Sequence, residues 1–244
     1  MDNEFEEKIQ SISNESSKMF DILSDYIWKS PRLIEVETKI EIEKLDIYFP
    51  PSEDADESAF TMMLRQMRWK SEENKLKNVF PNVMAISNLY LILSYFEFCC
   101  FRLCLEIESR GGTRLSEVHG YGVNKLLQFL KISGISTEEI SFRKQVIASL
   151  KIRNCLMHAN GIISWTKKDN AELKRIVNTG EYWRHMDGIK GADTMGLVVI
   201  IPGSYGEQLN IKNDYAFVVS GYTQRFFVQV CSLAKMINTN GYRD

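Results

Sequence analysis

The sequence predicts an all-α protein: a helical bundle with a small β-hairpin insertion and a helical N-terminal extension. Apolar residues recur at helical spacing along most of the 244-residue chain, and Pro-rich or Gly-rich stretches separate these segments. A β-hairpin is predicted from two short runs, residues 197–201 and 208–211, which flank the turn-forming residues 202–206. Hydrophobic residues make up 44% of the chain and charged residues 25%, which excludes a disordered chain or a disulfide scaffold.

The first 80 residues form the predicted extension. Residues 3–29 carry apolar positions at helical spacing, and Ser30 and Pro31 are expected to end this helix. Residues 33–49 fit either a strand or a helix, and their many Glu and Lys residues favour the helix. Residues 50–57 form an exposed break, and residues 59–78 are predicted to form a basic amphipathic helix.

Residues 81–244 form the predicted main domain. Pro81 suits the first turn of a long apolar helix that reaches about residue 109, where two glycines follow. This helix carries three charged side chains that would be costly in lipid, so it is expected to be the core helix of a protein without a membrane partner. Further helices are predicted over 123–132, from Ser136 to residue 158 or 159, and over 216–237.

Composition limits the classes of function. The chain has 30 Lys and Arg against 32 Asp and Glu, so its formal charge of −2 gives no global attraction to nucleic acid. A polyanion must therefore be bound by a local basic patch. The five cysteines lack the paired spacing of a metal site and are expected to be buried thiols, and we expect no metal and no cofactor. The acidic start lacks the features of a signal peptide, so a cytoplasmic location is expected.

One run combines groups that suit chemistry on a phosphodiester. Arg153 and Asn154 are followed by His158, and Asn160 and Gly161 then supply a helix stop. On a helix, Asn154 and His158 share a face, so the amide is positioned to orient the imidazole. Arg153 and His158 lie about 140° apart around the axis and flank one side of the helix. An imidazole can transfer protons and a guanidinium can stabilise negative charge.

This run resembles the signature of the HEPN superfamily, helical domains with an Arg, a polar residue and a later His near a helix end. The resemblance spans about residues 81–240. It implies a metal-independent endoribonuclease in which the RNA 2′-hydroxyl attacks, with His158 as general acid/base, Arg153 as charge stabiliser and Asn154 as the residue that orients His158. It also implies a homodimer with motifs facing across the two-fold axis, a role as a toxin or phage-defence effector, and an antitoxin or defence-system protein as a possible partner.

Glu97 and three lysines complete the candidate site. Glu97 is a lone carboxylate in an apolar run, so it either pairs with Arg153 or Arg102 or lies exposed at the helix rim. Many HEPN proteins carry an acidic residue on the corresponding helix, near the motif Arg, and the resemblance therefore includes Glu97 among the catalytic residues. Three basic side chains are candidates for contacting the RNA backbone, although such clusters are commonly solvated surface: Lys151, Lys167 and Lys168.

Two alternatives remain open. A non-catalytic HEPN module would bind RNA or nucleotide, or would mediate assembly. The toxin of a HEPN–nucleotidyltransferase pair often has Tyr two residues after the motif His, where this chain has Asn160. A second Arg–His spacing, Arg114 to His119, lacks the polar residue and lies in a Gly-rich stretch outside a helical pattern, so we treat it as coincidental.

Overall fold

The computed structural model describes residues 2–49, 59–166, 170–179 and 196–236. It is an all-α protein with one small two-stranded antiparallel sheet, as predicted. The α-helices are α1 (Asp2–Tyr48), α2 (Ala59–Asn74), α3 (Phe80–Glu108), α4 (Gly122–Ile132), α5 (Arg143–Ala159), α6 (Asn170–Asn178) and α7 (Asp214–Lys235), and the strands are β1 (Val198–Gly203) and β2 (Gly206–Ile211).

The hydrophobic core lies where α1, α3 and α7 pack against one another, with α4 and α5 alongside. Phe20 of α1 meets Tyr95 edge-on at a centroid distance of 5.0 Å, and Phe96 of α3 meets Phe226 of α7 at 5.9 Å. Such edge-to-face contacts are a favoured geometry for buried aromatic rings. The N-terminal half of α1 therefore shares one core with the predicted main domain, and the division at residue 80 stays a prediction.

The prediction that the first helix ends at Ser30 and Pro31 is wrong, because α1 continues through Pro31 to Tyr48. Proline removes one backbone hydrogen bond from a helix interior. Tertiary contacts beside it compensate: Ile27 is 1% exposed, and the buried Asn88 side chain donates a hydrogen bond to the Ser30 hydroxyl at 3.2 Å. Of the two structures open for residues 33–49, the helix is the one observed over its described length.

Helices α2 and α3 are joined rather than separated. A π-helical turn, Lys75–Val79, connects them, so the chain is helical from Ala59 to Glu108 and Pro81 lies in the first turn of α3. By length and composition this segment could cross a membrane, although 44% of its most apolar window is buried inside the protein. The apolar side chains of α3 supply the central wall of the core.

Helix α5 begins at Arg143, seven residues after the predicted entry at Ser136. Phe142 has φ 64° and ψ 4°, the left-handed conformation, which interrupts a right-handed helix. Its ring stacks on Tyr222 at 5.3 Å, so packing holds this conformation. The predicted helix start at Ser136 is therefore wrong, because residues 136–142 are not helical.

The predicted hairpin is confirmed. Val198 pairs with Ile211 and Gly203 with Gly206, with Ser204 and Tyr205 in the turn. Helix α6 was not predicted. The closing helix α7 begins at Asp214, and residue 237, its predicted end, lies outside the described residues.

Candidate active site at the end of helix α5

Helix α5 is fixed by its buried face. Val146, Ile152 and Cys155 are at most 1% exposed, and the buried Ser149 accepts a hydrogen bond from the Tyr215 hydroxyl of α7 at 3.1 Å. Because the core side of the helix is anchored at several points, the residues on its other side have defined positions. Arg153, Asn154 and His158 come from that other side.

The end of α5 is closed by a left-handed cap. Asn160 has φ 48° and Gly161 has φ 77°, and the Gly161 amide donates to the Cys155 carbonyl at 3.1 Å. This pattern is typical of helix C-termini that end in Asn or Gly. Asn tolerates the left-handed region far better than bulky residues do, so the structure gives a conformational reason for Asn160 at this position.

Strand β2 forms hydrogen bonds to the same cap, a contact that the sequence did not predict. The Leu209 amide donates to the Gly161 carbonyl at 2.8 Å, and the Gln208 side-chain amide donates to the Asn160 carbonyl at 3.0 Å. A Cβ atom at Gly161 would lie 2.9 Å from the Leu209 carbonyl oxygen. The hairpin therefore sets the path of the chain immediately after His158.

Arg153 pairs with Glu97 across α5 and α3. Nη2 of Arg153 lies 3.8 Å from Oε2 of Glu97, and the side chains are 18% and 34% exposed. Nη1 of Arg153 also approaches the Met157 sulfur at 3.9 Å, whereas the buried Nε has no hydrogen-bond partner. Arg102, the other candidate partner of Glu97, instead pairs with Glu15 at 2.9 Å. The structure thus selects the Arg153 pairing from the alternatives left open by the sequence.

Asn154 and His158 are both exposed. Within the described part of the chain no hydrogen bond joins the Asn154 amide to the His158 imidazole, so the orienting contact expected from their spacing is not formed in this structure. The imidazole is instead exposed to solvent. The other Arg–His spacing has a different setting, because Arg114 precedes a single turn of 3-10 helix and His119 follows it in a loop.

Of the three lysines predicted to contact RNA, the structure describes one. The Lys151 ammonium forms a close ion pair with Glu172 of α6, with the two side chains 24% and 37% exposed. Its charge is therefore engaged within the protein. Lys167 and Lys168 lie outside the described residues.

The chemistry available at this site comes from the exposed imidazole and the half-buried guanidinium. Cys155 lies on the buried face of α5, and burial raises the pKa of its thiol to about 11, so it is protonated at neutral pH. Burial also raises the pKa of the Tyr90 hydroxyl, an effect that the nearby positive charge of Arg153 opposes. Among the described residues, no three His, Cys, Asp or Glu side chains are close enough to hold a metal ion.

A pocket of about 330 Å³ adjoins Glu97. Phe98, Gly122 and Lys125 are among its lining residues, and a Cβ atom at Gly122 would lie 3.4 Å from Oε1 of Glu97. Helix α4 thus begins against the carboxylate. Sequence analysis missed this contact because a glycine in a flexible stretch gives no signal of what it approaches.

No protein-family model matches the chain, and comparison with curated proteins and with solved structures likewise found no match.

Proposed function

We propose that the protein is a metal-independent endoribonuclease of the HEPN superfamily, acting as a toxin or phage-defence effector. One observation carries the proposal: an exposed imidazole, His158, lies at the capped end of α5, five residues beyond an arginine, Arg153, that pairs with a carboxylate on another helix. A histidine and a guanidinium are sufficient for general acid/base catalysis with charge stabilisation at phosphorus. The biological setting rests on the resemblance of the motif.

In the proposed reaction, His158 of one copy accepts the proton of a ribose 2′-hydroxyl. The 2′-oxygen forms a bond to phosphorus, and Arg153 stabilises the additional negative charge. The bond from phosphorus to the 5′-oxygen then breaks, and that oxygen receives a proton from His158 of a second copy. The products are a 2′,3′-cyclic phosphate and a free 5′-hydroxyl. DNA is inert because it lacks the nucleophile.

Asn154 and Glu97 have supporting roles in this proposal. Asn154 shares an exposed helix face with His158 and orients the imidazole when substrate is bound. Glu97 is a positioning residue, because its carboxylate contacts Arg153 rather than RNA. Neither Lys151, which is paired with Glu172, nor the pocket beside Glu97 is required.

The first prediction compares two exposed histidines. His158→Ala should reduce cleavage of single-stranded RNA by about 100-fold or more, the usual contribution of general acid/base catalysis. His119→Ala is the matched control and should retain wild-type activity, since His119 lies in the loop after the second Arg–His spacing. Initial rates are measured with the purified full chain in EDTA.

Activity that disappears in EDTA, or that survives His158→Ala, would reject the proposed mechanism. The alternative is a non-catalytic HEPN module that binds RNA or nucleotide or mediates assembly, in which the Arg153–Glu97 pair serves only to link α3 to α5. RNA binding without cleavage by the wild-type chain is the outcome that supports this alternative.

A further inference from the structure

A cleft of about 830 Å³ lies where three parts of the chain meet. Its walls are α1 around Pro31, the π-helical turn with the start of α3, and the connection from β2 to α7. Sites for small molecules are usually concave, with volumes of about 300–1,000 Å³ and a few polar groups that fix the ligand. The motif on α5 and Glu97 contribute no lining residue to this cleft, so it is distinct from the candidate active site.

Three carboxamides that line the cleft have no hydrogen-bond partner. Asn82 lies on α3, Asn210 on β2, and Asn213 immediately before α7, and all three residues are half-buried. None of these side chains forms a hydrogen bond with another described residue, and Asn213 in particular does not cap α7. Polar groups in such positions normally have a partner from the protein, from water or from a ligand. The cleft therefore offers hydrogen-bond donors and acceptors that the described fold does not use.

Two cations of the cleft also lack an ionic partner. The Arg32 guanidinium lies 4.2 Å from the centroid of the Trp28 ring, and neither Arg32 nor Lys212 forms an ion pair with another described residue. The stacked arrangement restricts the guanidinium and leaves its N–H groups available. The third cation, Lys77, is engaged, because its ammonium pairs with Glu73 at 2.5 Å.

The acidic residues of the cleft divide in the same way. Glu35 pairs with Lys39 at 3.1 Å, whereas Asp214 forms no ion pair with another described residue. The charges left without an ionic partner are therefore two positive groups, Arg32 and Lys212, and one negative group. A ligand that satisfies all three must carry an anionic part and, separately, hydrogen-bond donors.

The backbone supplies an observation that does not depend on these side chains. Leu76, Lys77 and Asn78, which line one wall, belong to the π-helical turn Lys75–Val79. Turns of π-helix are rare and occur frequently at functional sites. The unusual backbone of this segment and the unpaired polar groups thus lie at the same cleft.

These groups match the parts of a nucleotide. Guanidinium and ammonium groups bind phosphate oxygens, a carboxylate accepts hydrogen bonds from ribose hydroxyls, and carboxamides pair with the edges of bases. An inorganic anion would use the two cations and leave Asp214 and the asparagines without a partner.

We propose that this cleft binds a nucleotide, with its phosphate at Arg32 and Lys212, its ribose at Asp214 and its base at Asn82, Asn210 and Asn213. The ligand would contact α1, α3 and the start of α7 together. The proposal stands independently of the nuclease proposal, because no group of the α5 motif takes part.

The test is isothermal titration calorimetry with the purified full chain in EDTA. The probes are ATP, GTP, CTP and UTP, with tripolyphosphate as a probe of the phosphate part alone. At least one nucleotide should bind with a micromolar Kd, and tripolyphosphate should bind at least about 10-fold more weakly, because it lacks the groups that the carboxamides and the carboxylate recognise.

Variants place the ligand in the cleft. Arg32→Ala should raise the Kd of that nucleotide by about 10-fold or more, and Asn82→Ala by about 3-fold or more, as for the loss of a charged and a neutral hydrogen bond. Arg110→Ala is the matched control, since the Arg110 guanidinium lies over the Phe5 ring at 4.1 Å outside the cleft, and it should leave Kd unchanged. Circular dichroism verifies that each variant is folded.

Three results would overturn the proposal: no binding of any of the four nucleotides, equally tight binding of tripolyphosphate, or nucleotide binding that survives Arg32→Ala. Nucleotide binding that requires His158 rather than Arg32 would place the ligand at α5 and would overturn it as well. Because binding rather than RNA cleavage is measured, these results do not depend on whether the chain is a nuclease.

Discussion

Two nitrogens of the Arg153 side chain contact a neighbouring residue, and the third has no hydrogen-bond partner. Glu97 approaches Nη2, Met157 approaches Nη1, and the buried Nε has no hydrogen-bond partner. The Arg153 side chain is 18% exposed, so only a small part of it is open to solvent. The placement of Arg153 therefore depends on α3 as much as on α5.

This dependence predicts the effect of Glu97→Gln, which keeps the shape of the side chain and removes its charge. If Glu97 positions Arg153, kcat for RNA cleavage should fall by about 10-fold or more, because small displacements of a catalytic group are costly, while KM changes little. The free energy of unfolding should fall by about 0.5–1 kcal/mol, as for a partly exposed ion pair.

Glu15→Gln is the control for that experiment. It removes the Arg102 pairing between α1 and α3, with Glu15 57% exposed, and it should leave kcat unchanged. Equal losses of kcat in the two variants would mean that Glu97 acts only through general stability.

At the scale of elements, the cap of α5 and strand β2 form one unit. The stop signal at Asn160 and Gly161 follows from local backbone preferences, so the sequence predicted it. The strand that binds the cap is about 50 residues further along the chain, and local patterns do not encode such a long-range pairing. The same limit explains the wrong helix boundaries at Pro31 and Ser136, where tertiary packing outweighed local propensity.

Two Gly→Ala variants separate the energetic cost of backbone strain from the cost of a close contact between the cap and β2. Gly161→Ala should lower the free energy of unfolding by about 2–4 kcal/mol, because it combines an unfavourable positive φ with a clash against the Leu209 carbonyl. Gly134→Ala, with φ +87° and no atom within 4 Å of its Cβ, should cost about 1–2 kcal/mol from strain alone. The free energies of unfolding are measured by urea denaturation. Equal losses in the two variants would show that β2 moves away from the cap at little cost.

At the scale of the whole molecule, all five cysteines are buried. Burial raises the pKa of Cys104 and Cys231 to about 12 and raises the pKa of Cys99 and Cys100 above its usual range. The expectation of buried thiols is confirmed, and the all-α architecture is also as predicted, because both follow from apolar periodicity.

The buried thiols predict an alkaline loss of stability. An unfolded thiol ionises near pH 8.5, whereas the folded thiols stay protonated. Above that pH the unfolded state binds fewer protons than the folded state, so the free energy of unfolding should fall as the pH rises from about 8.5 to 11. Ellman's reagent at pH 8 should detect no thiol in the native protein within minutes and five after denaturation. Rapid reaction of any native thiol would contradict the packed core.

We propose above that RNA is cleaved through its own 2′-hydroxyl at the end of α5. The most direct measurement uses one RNA oligonucleotide and its twin with a single 2′-deoxy substitution at the cleaved position, incubated with the full chain in EDTA and analysed by mass spectrometry. We expect a 2′,3′-cyclic phosphate from the first oligonucleotide and no cleavage at that position in the second, as the proposed reaction requires. Cleavage of the deoxy-substituted position would contradict it.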